Sequence, residues 1–151
     1  MGSPTRSATL ARCRQEYGAQ RKGQNVAKVI RLEHIGLGAT RDKYDETVRF
    51  YQQVFGWHLI KETPGQLAFI GDGEGGRLEV LPTDGPPLSG SHHLAFIVDA
   101  ADLETTMQAL HDNGASVNEP SANPYGDRLV FFTDPAGNRA QIVCRSEPLA
   151  P

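Results

Sequence analysis

The chain has 151 residues and a mass of 16.4 kDa, with 38% hydrophobic and 22% charged residues. This composition excludes whole-chain disorder, collagen-like repeats and a disulfide scaffold. No run approaches the roughly 18 apolar residues of a membrane span, which excludes a transmembrane role. Net charge is −3, yet residues 1–27 hold five Arg or Lys against one acid (+4), leaving −7 on the remainder. An acidic body lacks the clustered cations that neutralise phosphates, so nucleic acid is excluded as a partner.

The basic segment 1–27 has no apolar stretch of the secretory kind. Its Arg and Ser content fits a transit peptide or a disordered extension, and it stands apart from a fold expected over residues 28–147. Cys13 and Cys144 sit in unlike settings, which fits a reducing compartment and a cytoplasmic location.

Val29 to Ala39 reads as a strand, with Ile30, Leu32, His34, Gly36 and Gly38 on one face and Arg31, Glu33, Ile35 and Leu37 on the other. Thr40 or Asp42 can cap a helix over Lys43–Phe55, in which Tyr44, Val48, Tyr51 and Phe55 repeat at helical spacing and after which Gly56 ends the run. Strands follow over Trp57–Glu62, Gln66–Gly71 and Gly76–Leu81, and Pro82–Gly90 forms a linker.

The second half repeats this order. His92–Val98 is a strand, and Asp99 or Asp102 caps a helix through Asn113 that turns Leu103, Met107 and Leu110 inward and meets Gly114 as its C′ residue. Strands over Ser116–Asn118, Arg128–Thr133 and Arg139–Cys144 follow, the last two joined by an Asp134–Asn138 turn in which Gly137 tolerates a positive φ. Two β-α-β-β-β modules, 28–88 and 89–147, are therefore expected.

Polar residues recur at equivalent places in the two modules. His34 and His93 stand in first strands, Glu79 and Gln141 in last strands, at separations of 45 and 48 residues. Parity puts Leu78, Val80, Leu94, Phe96 and Val98 under the helices with Ile35, Leu37, Ile142 and Cys144. His34, Glu79, His93 and Gln141 then share the opposite face, where Gly36, Gly38 and Ala95 leave room. Two imidazoles, a carboxylate and an amide oxygen suit Zn²⁺, Ni²⁺, Fe²⁺, Co²⁺ or Mn²⁺. Such an ion polarises a carbonyl or holds a developing enediolate, and Glu79, the one carboxylate of the set, is the candidate catalytic base. Arg77 and Arg139 alternate onto the same faces and suit an anionic group or a solvent-exposed strand end. His58 and His111 read as surface residues. His92 reads as structural, because adjacent strand residues cannot both face one cavity.

At these residues the chain resembles the vicinal oxygen chelate superfamily, also called the glyoxalase/bleomycin resistance/dioxygenase superfamily. The resemblance covers residues 30–146 and is carried by Leu32–Leu37, Arg49–Trp57, Leu78–Val80, His93–Val98 and Phe132–Asn138 leading to Gln141. It implies an α+β fold in which the paired modules form a cup-shaped mixed sheet around a metal, with helices outside, often completed across a homodimer. It also implies that His34, Glu79, His93 and Gln141 occupy the four ligand positions. Glyoxalase I and the extradiol dioxygenases usually present Glu at the last, so Gln141 leaves any base role to Glu79. The Arg and Asn with which bacterial glyoxalase I holds glutathione correspond here to Gly38 and Thr83. The expected activity is that of a glyoxalase I-like lyase or isomerase acting on a small oxo substrate. An epimerase of the methylmalonyl-CoA type shares that proton-transfer logic. An Fe²⁺ extradiol dioxygenase and a non-catalytic ligand-binding module of the bleomycin-resistance kind are the other readings.

Overall fold

A computed structural model describes residues 32–149, within which Glu33–Glu147 form a compact unit. The basic segment 1–27 and the expected strand start at Val29 lie outside the described residues. The first module runs β1 (Ile35–Ala39), α1 (Tyr44–Phe55), β2 (His58–Thr63), β3 (Leu67–Gly71) and β4 (Arg77–Pro82). The second runs β5 (Leu94–Ile97), a 3₁₀ turn (Ala100–Asp102), α2 (Leu103–Asp112), β6 (Ser116–Val117), β7 (Ser121–Ala122), β8 (Arg128–Thr133) and β9 (Arg139–Cys144). The β7 segment was not foreseen, because two small residues without alternation carry no strand signal; it is held by pairing with β8.

The strands divide into two mixed sheets, one per module, ordered β1-β4-β3-β2 and β5-β9-β8-β6. In each, the first strand runs parallel to the last and the other pairs are antiparallel. The parallel pairing requires a crossover, which the helix and intervening strands of each module supply. The α+β class and the repeated module are those of the sequence reading.

Side-chain alternation separates two faces. Leu37, Leu78, Val80, Leu94, Ile142 and Cys144 are buried as expected, with Phe96 and Val98 packed against them. Ile35 departs from that pattern at 40% exposure, being the first residue of an edge strand. Helix α1 buries Tyr44, Thr47, Val48, Phe50 and Tyr51. Phe55 stacks on Phe96 at 4.5 Å between ring centroids, joining the first module's helix to the second module's sheet. Phe50, Trp57 and Phe132 extend this cluster. Each buried aromatic or aliphatic side chain contributes about 1.5–3 kcal/mol, which makes this shared core the main bond between the modules.

The helix ends differ from expectation at one side and match it at the other. Neither Thr40 nor Asp42 caps α1: Lys43 holds the N-cap position without a side-chain bond. Asp102 likewise makes no side-chain cap on α2. At the C-termini, Gly56 (φ 65°) and Gly114 (φ 90°) adopt the left-handed conformation. Gly114 N–H donates to the His111 carbonyl and Ala115 N–H to that of Leu110, the paired bonds of a Schellman motif.

Candidate metal centre

His34 and Glu79 come together on the first sheet. The register sets Gly36 of β1 opposite Glu79 of β4, and Glu79 opposite Phe69 of β3. A Cβ at Gly36 would meet Leu81 Cδ1 at 4.0 Å, so the glycine leaves the floor beside Glu79 open. His34, just before β1, brings Nε2 to 3.3 Å from Glu79 Oε2 and lies edge-on to the Phe69 ring at 5.4 Å.

The second sheet repeats the arrangement. Ala95 of β5 lies opposite Gln141 of β9, and Gln141 opposite Phe131 of β8. His93, just before β5, is edge-on to Phe131 at 5.6 Å, and Gln141 is buried at 8% exposure. Among the described residues no three His, Cys, Asp or Glu side chains gather around one point. The sequence-derived set is thus divided between the sheets, as two candidate half-sites: His34 meets Glu79 on the first, and His93 and Gln141 each adjoin Phe131 on the second.

Both histidines are wired alike. His34 Nδ1 bonds to the Glu33 carboxylate, and His93 Nδ1 lies 2.9 Å from the Ser91 carbonyl. An acceptor at Nδ1 fixes the proton there and leaves the Nε2 lone pair, the arrangement a metal-ligating imidazole requires. A lone pair facing a carboxylate oxygen at 3.3 Å is repulsive unless a cation or a proton lies between them. The Glu33 hydrogen bond raises the His34 pKa above its ordinary 6.5, partly opposed by desolvation and reinforced by the charges of Glu33 and Glu79. The half-site therefore favours a positive charge between His34 and Glu79, a proton or a cation.

Sequence reasoning missed Glu33, Phe69, Phe131 and the Ser91 carbonyl. Strand alternation assigned Glu33 to the face opposite His34. Both residues precede β1, however, and are free of its alternation. The two phenylalanines follow from strand register, which single-strand parity does not specify. Arg77 bonds to Glu33 at 3.4 Å, while Arg139 lies over the Phe131 ring at 4.2 Å. His58 and His111 are exposed, as expected. His92, read as structural, lines a cleft of about 270 Å³ with Gly36, Gly38, Pro87 and Asn138. No helix among the described residues is long and apolar enough to cross a membrane.

Residues 31–142 match the family model described as Glyoxalase/Bleomycin resistance protein/Dioxygenase superfamily. No curated protein sequence gives a significant match. Among solved structures, a glyoxalase-related enzyme from Fulvimarina pelagi is 24% identical, with a TM-score of 0.63 over 78% of this chain and 89% of that one. A lactoylglutathione lyase from Agrobacterium tumefaciens is 23% identical, with a TM-score of 0.57 over 78% and 95%. The fosfomycin resistance protein FosX from Listeria monocytogenes is 17% identical, with a TM-score of 0.68 over 78% and 95%. At these identities the likeness shows the fold.

Proposed function

Because the chain belongs to the Glyoxalase/Bleomycin resistance protein/Dioxygenase superfamily, we propose that it is a metal-dependent lyase or isomerase resembling glyoxalase I, which moves a proton at the carbon beside the oxo group of a small substrate. The observation that carries this reading is the matched wiring of His34 and His93, each with Nδ1 held by an acceptor and Nε2 left to ligate. His34, Glu79, His93 and Gln141 would hold a divalent ion of the Zn, Ni, Fe, Co or Mn type. A bound ion of this kind supplies polarisation of the substrate carbonyl.

The rest falls to the chain. Glu79, half-buried beside His34, takes the carbon-bound proton and returns it. Gln141 adds a neutral oxygen that leaves the centre with one carboxylate, so the base role falls to Glu79. Phe69 and Phe131 support the imidazoles edge-on. The separation of the half-sites within one chain supports completion across a homodimer, with His34 and Glu79 of one protomer meeting His93 and Gln141 of the partner subunit. The buried free thiol of Cys144 is compatible with a cytoplasmic setting.

Elemental analysis tests the centre. About one ion per chain is expected, lost in the His34→Ala/Glu79→Ala double variant. The base is tested by following loss of the carbon-bound proton of small α-hydroxy ketones and thiohemiacetals in D₂O. Glu79→Gln is expected to retain metal and lose exchange; full exchange in that variant overturns the role given to Glu79, and absence of metal under any loading overturns the centre.

A further inference from the structure

Arg77 and Arg139 stand two residues before Glu79 and Gln141 respectively, on the same faces of β4 and β9. Their surroundings differ. Arg77 Nη1 lies 3.4 Å from Glu33 Oε1, so its charge is already matched by an acid. Arg139 Nη1 donates to the Gly90 carbonyl at 2.8 Å, and its guanidinium sits 4.2 Å over the Phe131 ring. Both contacts are neutral, and the same ring carries His93 on its edge at 5.6 Å.

Those contacts hold the Arg139 fork in one orientation and use one of its five N–H donors. A cation steadied by a carbonyl and a ring keeps its attraction for an anion, and an incoming oxyanion breaks no existing ion pair. The planar fork matches a carboxylate or another bidentate oxyanion better than a point charge does. We infer that Arg139 recognises an oxyanion carried by the substrate beside the group that reaches His93 and Gln141, making the substrate an anionic oxo compound. This inference rests on the metal-centre reading above.

The test compares two hydroxamates with the same chelating head. One, 3-carboxypropanohydroxamate, ends in a carboxylate; the other, butanohydroxamate, ends in a methyl group. Binding to Ni²⁺-loaded full-length protein is measured by calorimetry. The wild type is expected to favour the carboxylate by about tenfold, as a charge-assisted bond provides. Arg139→Gln is expected to bring the two ligands to parity while leaving metal content and butanohydroxamate binding unchanged, Arg139→Lys to keep part of the preference, and Arg77→Gln to keep all of it. A preference that survives in Arg139→Gln, or that falls equally in Arg77→Gln, overturns the assignment. Failure of both hydroxamates to bind overturns the metal centre itself, and this inference with it.

Discussion

The Asn138 side-chain amide donates to the Gly38 carbonyl at 2.9 Å, tying the turn before β9 to β1 across 100 positions of sequence. The same amide donates to Asp134 Oδ2 at 3.0 Å, and its oxygen accepts from Leu88 N–H at 2.9 Å. Asp134 in turn accepts from the Tyr51 hydroxyl and from two turn N–H groups. Burial raises the Asp134 pKa although these donors oppose it. One fully buried asparagine therefore joins both modules and the linker between them.

Asn138→Ala leaves the Gly38 carbonyl, the Leu88 N–H and part of Asp134 without partners. At about 1–3 kcal/mol for each buried group left unsatisfied, a loss of about 3 kcal/mol is expected. Urea unfolding checks it; a change under about 0.5 kcal/mol, the size of an ordinary surface substitution, would show that the network carries little stability.

Gly38 is required by close approach. A Cβ there would lie 2.5 Å from Thr83 Cγ2, and Gly38 is not among the glycines with positive φ. Gly38→Ala is therefore expected to cost about 1–3 kcal/mol through overpacking. Adding Thr83→Ser removes the obstructing methyl while keeping the hydroxyl that accepts from Gly85 N–H. The double variant should recover most of the loss in thermal unfolding, and no recovery would place the strain elsewhere.

If the two half-sites meet across a dimer, His34→Ala and His93→Ala chains complement one another. Each variant alone is expected to bind little metal. Unfolding and refolding them together should restore an intact centre in the mixed dimers. Metal analysis of the mixture reads the result, and no restoration would overturn completion of the centre across a dimer.

Asp127 provides a pH test. It accepts from Ser146 N–H, the Asn123 amide and the Arg145 guanidinium, which lower its pKa from 3.8 to about 2. A depressed carboxyl pKa contributes stability above the unfolded value and loses it as pH falls through the folded value. The stability gap between wild type and Asp127→Asn should be full at pH 7 and shrink between about pH 4 and pH 2. Urea midpoints at both ends of that range check the sign, and a constant gap would exclude the linkage.

Much of this protein is readable along the chain. The helical recurrence of Tyr44, Val48 and Tyr51, the left-handed glycines after both helices, and the alternation of Leu78 and Val80 around Glu79 each depend on a few consecutive residues, so sequence determined the repeated module and its polar faces. The recurrence of His34 with Glu79 and of His93 with Gln141 was legible for the same reason. Tertiary structure decided what depends on register and on side chains far apart. It set Phe69 and Phe131 against the two histidines, turned Glu33 toward His34, gave Arg77 an acid and Arg139 a ring, and joined Asn138 to Gly38. Periodicity fixes the face a residue occupies. Its neighbour on that face is chosen by strand pairing and by packing between modules, which no local pattern encodes.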